Sequence, residues 1–359
     1  MSGRPTALHS KHKEAGARMM DFAGWDMPVQ YAGILQEHRA VRSAAGVFDI
    51  SHMGEFFVRG PQAGEWLSRV LAGKVPAIGV GEARYAILLN EAGGVIDDLY
   101  VYRIREMDYL LVVNASKISE DAACLRGRLT GEVTFEDASD LYSAVAVQGP
   151  LAPGIFRKCF GRDLPPSRNR VLELTRGGEE LWIATTGYTG EPGFEVICKN
   201  PEVSSLWDAL TTAGCVPCGL GARDVLRLEM GYPLNGNDLS PERTPLEAGL
   251  GFFIDFTGPD FVGKSALLAQ KENGIPSKLC GIVVDGKSPP MRPHYPVWMD
   301  GTQVGETASG GLSPTLGTAI AMAYLPTSVA IPGTKIEIDV RGNRIPARVV
   351  KKPFIQTKL

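Results

Sequence analysis

At 359 residues the chain is long for one hydrophobic core, so two or three domains are expected. Its 44% hydrophobic and 21% charged residues are ordinary for a globular protein, and 37 basic against 40 acidic residues give a net charge of −3, which excludes a global pull toward nucleic acid or an anionic membrane. No apolar run approaches the roughly eighteen residues of a membrane helix, and the N-terminal MSGRPTALHSKHKEAG has neither an h-region nor a small-residue cleavage site, so a cytoplasmic location is expected.

In chain order, the aromatic, turn-rich run from Phe22 to Tyr31 leads into a helix marked by Ile34, Leu35, His38, Val41, Arg42 and Ala45, with Gly46 where a C-terminal cap belongs. Residues 47–58 then read as strand with a glycine interruption. His52 within it has no Ser or Cys nucleophile signature nearby, so a structural, hydrogen-bonded histidine is expected. Trp66, Leu67, Val70 and Leu71 mark a short helix.

Three β-rich runs follow: Arg84 to Asn90, the EAGGVIDDLYVY stretch from Glu91 to Tyr102, and Tyr109 to Asn114. Short polar or glycine-containing turns separate them, which predicts an antiparallel meander. Alternation places Val95, Asp97, Leu99 and Val101 on one side of the middle strand and Ile96, Asp98, Tyr100 and Tyr102 on the other. Asp97 thus sits among aliphatic residues. Asp98 shares its side with two tyrosines able to wall a flat ligand, which makes it the better candidate for meeting a ring system, while a solvated strand edge or turn cap stays open for either acid.

Helical spacing over 118–129 and strand-like runs at 133–135 and 143–147 come next. The succession of local hairpins makes residues 55–135 read as a unit inserted between an N-terminal piece and a segment that resumes near 140. Residues 181–186 and 194–197 form two strands joined by Gly187-Tyr188-Thr189-Gly190-Glu191-Pro192-Gly193, a tight loop that exposes backbone. After a helix over 204–212, the run Gly219-Leu220-Gly221-Ala222-Arg223-Asp224 matches part of a dinucleotide fingerprint but lacks its third glycine and a clean preceding strand. Arg223, set against the dipole in a first helical turn, points to a carboxylate partner, of the protein or of a ligand. From Leu279 onward, short strands at 282–284, 297–299, 319–323, 335–340 and 345–350 predict a small barrel or sandwich. The six cysteines are scattered, and Cys215-Val216-Pro217-Cys218 lacks the second ligand pair of a zinc site, so buried thiols and no metal are expected.

The segments FAGWDMPVQY (22–31), VFDISHM (47–53), LNEAGGVIDDL (89–99), AVQGP (146–150), TTGYTGEPGFE (185–195), CGLGARDVLRLEMG (218–231), SPTLG (313–317) and KKPF (351–354) together resemble the aminomethyltransferase, or T-protein, family of the glycine cleavage system. The resemblance runs in order over nearly the whole chain. It implies an α+β fold with antiparallel sheets in a three-domain, ring-like (cloverleaf) arrangement around a central folate channel. Its domains would be residues 1–54 with 137–255, an inserted 55–136 carrying the catalytic acid, and a C-terminal β-barrel over 275–359. The implied reaction passes a one-carbon unit from the aminomethyl-lipoyl arm of H-protein to tetrahydrofolate. Ammonia and 5,10-methylenetetrahydrofolate would be the products.

The family's key acid, the second Asp of G-G-x-x-D-D-L, matches Asp98, and its folate contacts match Met53, Tyr85, Tyr100, Asn114, Tyr188, Glu195 and Arg223. Such residues suit a flat pterin rich in donors and acceptors: Glu195 accepts from ring N–H groups, the tyrosines and Met53 form walls, and Asp98 orients the attacking nitrogen and stabilises the cation formed as ammonia leaves. The alternative implied by the same resemblance is a folate-dependent demethylase of a small methylated compound. Relatives that assist iron–sulfur assembly carry K-G-C-Y-x-G-Q-E where this chain has GLGARDVLRLE, which counts against that reading.

Overall fold

The computed structural model describes residues 3–357. The chain divides into two compact units, one built from 3–86 and 98–223, the other from 87–97 and 224–357.

The first unit holds two six-stranded sheets and a small three-stranded one. In one six-stranded sheet the order of neighbours is Thr134–Asp137, Gly54–Arg59, Asp108–Val113, Val95–Arg105, Glu82–Leu89 and Leu71–Ala72, so every strand comes from residues 54–137. Its centre is the predicted antiparallel meander, with Tyr100 opposite Val112 and Tyr102 opposite Leu110. In the other sheet the order is Val171–Arg176, Glu179–Ala184, Gly193–Lys199, Tyr142–Gln148, Gly46–Asp49 and Val216–Pro217. Helices Ala152–Phe160 and Asn200–Thr212 cover one face of this sheet, burying Phe156, Leu206, Trp207 and Leu210 against Val145, Val147, Phe194 and Val196. Each such side chain contributes about 1.5–3 kcal/mol by leaving water. On the opposite side Phe57 meets Trp182 and Tyr142, with ring centroids 5.3 and 5.5 Å away, so the two sheets share aromatic packing.

The single strand expected over 47–58 is two strands in different sheets. Gly46–Asp49 pairs with Tyr142–Gln148, whereas Gly54–Arg59 pairs with Asp108–Val113 and Thr134–Asp137. Between them the chain turns: the Asp49 carboxylate accepts from the Ser51 amide at 2.8 Å, and Met53 N–H donates to Ile50 O at 3.1 Å. An Asp accepting from the backbone two residues on is a turn-former, so the interruption is a crossover between sheets.

The second unit contains a closed barrel, in the order Ser277–Val284, Thr318–Pro326, Thr302–Ser313, Pro296–Met299, Lys335–Val340 and Asn343–Val350. Ile282, Val297, Ala321, Ala323, Leu325 and Ile338 fill its interior. Closure leaves no free sheet edge. The 87–97 hairpin tip also belongs to this unit, and it explains one glycine of the G-G-x-x-D-D-L motif. A Cβ on Gly94 would stand 1.8 Å from the carbonyl oxygen of Pro241, so only a bare backbone fits there. The fold is thus α+β, with antiparallel sheets and a barrel at the C-terminal end. Among the described residues no helix is long and apolar enough to cross a membrane.

Candidate active site

The Val95–Arg105 strand carries the division of the acidic pair into the structure: Val95, Asp97 and Leu99 are buried while Ile96, Asp98 and Tyr100 on the other side are partly exposed. Asp97 is fully buried, as a structural residue would be. Both Asp98 carboxylate oxygens have donors. Tyr85 O–H donates to Oδ2 at 2.8 Å, and the Asn114 side-chain amide donates to Oδ1 at 3.1 Å and to the Asp98 carbonyl at 3.0 Å. Burial first, and then the neighbouring Asp98 carboxylate, push the Tyr85 phenol well above its ordinary range, so Tyr85 stays a donor. Two neutral donors hold the carboxylate in one orientation without cancelling its charge.

Aromatic rings frame this acid. Tyr85 and Tyr100 meet edge to face at 5.8 Å, and Tyr100 stacks on Tyr102 at 5.9 Å. Tyr102 departs from the expected ligand wall. It is only 1% exposed and turns its hydroxyl to Thr186 Oγ1, 3.3 Å away, so it stands behind the site and supports it.

The Gly187–Gly193 loop is more than a hairpin turn, because side chains from elsewhere pin it. Arg42 donates to Thr189 O at 2.7 Å and to Glu191 Oε1 at 2.9 Å, while Thr189 O–H donates to the buried Gln148 Oε1 at 2.8 Å. The loop therefore presents Tyr188 from a fixed position, with the Arg223 guanidinium 4.9 Å from its ring centroid. Arg223 has the carboxylate neighbour expected from its place in the helix. Burial lowers its pKa, and the charge of Glu195 opposes that effect. Burial likewise raises the Glu195 pKa, opposed by the Thr186 hydrogen bond and by Arg223. Arg223 Nη1 is buried with no hydrogen-bond partner. A buried guanidinium nitrogen left without an acceptor is where a ligand acceptor would be worth most.

Within the first unit, Asp98, Tyr85, Tyr100 and Asn114 are joined by hydrogen bonds and ring packing, Tyr188 packs on Arg223, and charge effects tie Tyr188 to Tyr85 and Glu195 to Arg223. Met53 follows His52 in the sheet-crossing turn, and the Arg223 charge acts on His52.

The sequence left Thr186 out of this set, although it donates to Glu195 Oε2 at 2.5 Å. The signal is the hairpin register: with Ala184 opposite Glu195, Thr186 two residues on faces the same side and lies diagonal to Glu195.

His52 is buried, and its Nδ1 has no hydrogen-bond partner, contrary to the hydrogen-bonded role expected. Its ring packs edge-on against Phe22 at 5.5 Å. Burial first, then the Arg223 charge, lower its pKa to about 4, so it is a neutral packing group at ordinary pH. Because the folded value lies below the unfolded one of about 6.5, its contribution to stability is complete above that pH and is lost as pH falls toward 4. Chemical denaturation from pH 7 to 4 is expected to show about 3 kcal/mol of pH-dependent loss in the wild type that is absent in His52→Leu.

The GLGARD run proves to be a packing device. A Cβ on Gly219 would lie 2.4 Å from the Val29 carbonyl carbon, and Glu37 Oε2 accepts from Gly219 N–H at 2.8 Å. The amide a phosphate would need is already bound to a carboxylate, which removes the dinucleotide reading. Cys215 and Cys218 are buried free thiols, and burial pushes the Cys215 thiol up to about 12. Among the described residues no group of three or more His, Cys, Asp or Glu side chains is placed to hold a metal ion.

Comparison with known proteins identifies the family. The family model described as GCVT N-terminal domain matches residues 8–258, and that described as glycine cleavage T-protein C-terminal barrel domain matches residues 278–356. The aminomethyltransferase of Streptomyces avermitilis is 46% identical over 98% of this chain and 97% of its own length, and that of Rubrobacter xylanophilus is 45% identical over 99% and 95%. The crystal structure of glycine cleavage system aminomethyltransferase T from Bartonella henselae superposes with a TM-score of 0.94 at 33% identity, covering 99% of each chain. The chain belongs to the glycine cleavage T-protein family.

Proposed function

We propose that the chain is the aminomethyltransferase of glycine cleavage, passing the one-carbon unit from the aminomethyl-lipoyl arm of H-protein to tetrahydrofolate with release of ammonia. The observation that carries this reading is the Asp98 carboxylate, oriented by Tyr85 and Asn114 on the partly exposed side of a strand and framed by tyrosine rings. Near full-length similarity to proteins named aminomethyltransferase favours it over a small-molecule demethylase.

The residues fit a reduced pterin. Glu195 supplies an acceptor, Arg223 a donor without a partner on Nη1, and Tyr85, Tyr100 and Tyr188 flat walls, with Met53 at the neighbouring turn. Bound there, tetrahydrofolate supplies the nitrogen nucleophiles that accept the carbon. Asp98 orients the attacking amine by accepting a hydrogen bond from it, and its fixed negative charge stabilises the positive charge that builds as ammonia departs. Tyr85 and Asn114 keep that charge aimed and need no rearrangement during the reaction. H-protein is the partner that delivers the arm. Six free cysteines suit a reducing compartment, and the cytoplasm is the proposed location.

The test incubates the protein with aminomethylated H-protein, with and without tetrahydrofolate, and follows ammonia. Fast release that requires tetrahydrofolate and yields 5,10-methylenetetrahydrofolate is the expected result. Absence of folate-dependent release from H-protein, alongside turnover of small N-methyl or sulfonium compounds, would replace this reading with the demethylase.

A further inference from the structure

Behind the surface that faces substrate, one hydroxyl connects a buried phenol to a half-buried carboxylate. Thr186, 4% exposed, donates to Glu195 Oε2 at 2.5 Å, and the Tyr102 hydroxyl lies 3.3 Å from the same threonine oxygen. A threonine hydroxyl has a single proton and two lone pairs. A carboxylate only accepts, so the proton of Thr186 is committed to Glu195, and its free lone pair takes the Tyr102 O–H. Tyr102 stays protonated, since burial first and the Glu195 charge next push its pKa well above the ordinary range. The chain of hydrogen bonds therefore runs one way, from Tyr102 through Thr186 to Glu195.

The backbone beneath the hydroxyl is fixed as well. Gln148 Nε2 donates to Thr186 O at 3.2 Å, and Gln148 itself is fully buried with its carbonyl oxygen occupied by Thr189. Burial already raises the Glu195 pKa, and removal of the donor takes away a hydrogen bond that opposes this, so the protonated form, which carries an O–H, gains. A donor placed opposite ring N–H groups repels them, whereas an acceptor binds them.

We propose that Thr186, oriented by Tyr102, is a positioning residue that holds Glu195 as an all-acceptor carboxylate for the N–H edge of the pterin, an assignment that rests on the folate reading above. It deepens that reading by giving the site a preference: rings presenting donors at this edge bind, and rings presenting acceptors there do not.

The experiment measures tetrahydrofolate affinity by anaerobic titration calorimetry from pH 5 to 9, together with kcat and KM, for the wild type, Thr186→Val, Thr186→Ser, Tyr102→Phe and Glu195→Gln. Thr186→Val keeps the side-chain shape and removes the donor. Losing a hydrogen bond to a charged group is expected to weaken binding at neutral pH about tenfold, with the effect falling on KM more than on kcat. The donor pulls the Glu195 pKa down, so its loss moves the acidic limb of the binding profile to higher pH, by about one pH unit. Thr186→Ser is expected to restore both, and Tyr102→Phe to move the limb the same way by less.

A folded Thr186→Val with the wild-type limb and affinity overturns the proposal, as does a Thr186→Ser as weak as the valine variant. Should the valine variant not fold, an unmoved limb in Tyr102→Phe overturns it instead. Failure of the wild type to bind tetrahydrofolate would sink the folate reading itself. Wild-type binding that Glu195→Gln weakens, with the limb unmoved in the Thr186 variants, would sink this assignment alone.

Discussion

Asp98→Asn is expected to lower turnover by about a hundredfold or more while leaving tetrahydrofolate affinity within a few-fold of the wild type. The substitution keeps the shape of the side chain. Its remaining oxygen can still accept from Tyr85 or Asn114, the two groups that hold the carboxylate at 2.8 and 3.1 Å. What is lost is one negative charge at the point where positive charge grows as ammonia leaves. An electrostatic term of this kind acts in the transition state and hardly at all in the ground state, so kcat and kcat/KM should fall together. Single-turnover mixing with aminomethylated H-protein separates the chemical step from delivery of the arm, and thermal unfolding confirms an intact fold. Turnover within about twofold of the wild type would remove Asp98 from the mechanism.

The division of the acidic pair by face was legible in the sequence because alternation along a strand is a strict rule. A period of two separates Asp97 from Asp98 whatever the rest of the chain does, and the burial of Val95, Asp97 and Leu99 follows it. The same rule could not say how a side chain bends at the strand's far end, and so Tyr102 was read as a ligand wall when its hydroxyl is turned inward to Thr186. Thr186 itself was hidden for a related reason. Its partner Glu195 lies across a hairpin whose register depends on how the Gly187–Gly193 loop folds, and that in turn depends on Arg42 and Gln148, distant in sequence.

Strand composition limited the reading of the barrel. The twelve-residue Thr302–Ser313 strand is rich in Gly, Ser and Thr and carries no aliphatic alternation, yet it pairs along most of its length with Thr318–Pro326. Its glycines are required by neighbours the sequence does not place nearby: a Cβ on Gly305 would stand 2.2 Å from Tyr324 O. Propensity scores such a segment as loop, whereas packing makes it a central strand.

Asp238→Ala is expected to destabilise the second unit by about 3–5 kcal/mol, the larger of the two stability effects predicted for this protein. Asp238 has a fully buried side chain, and its Oδ2 accepts from Arg227 Nη1 at 2.8 Å, Ser309 Oγ at 2.6 Å and Leu234 N at 2.9 Å. Arg227, with a side chain only 2% exposed, also donates to Ser309 Oγ at 2.9 Å and to Tyr232 O at 3.1 Å. The pair thereby fastens the end of the Leu220–Glu229 helix and the 232–240 loop to the Thr302–Ser313 barrel strand. A second cation feels the same carboxylate. Burial lowers the Lys352 pKa and the Asp238 charge opposes this, so removing Asp238 takes from Lys352 the carboxylate that favours its charged form and leaves the buried Arg227 to the half-exposed Asp224, 2.7 Å away. Removal of the arginine too, in Arg227→Met with Asp238→Ala, takes away the buried cation that lost its buried partner. The double variant should therefore lose clearly less stability than the sum of the single changes. Urea unfolding of the four proteins closes the cycle, and additive losses would show that the buried pair acts through packing and not through its charges.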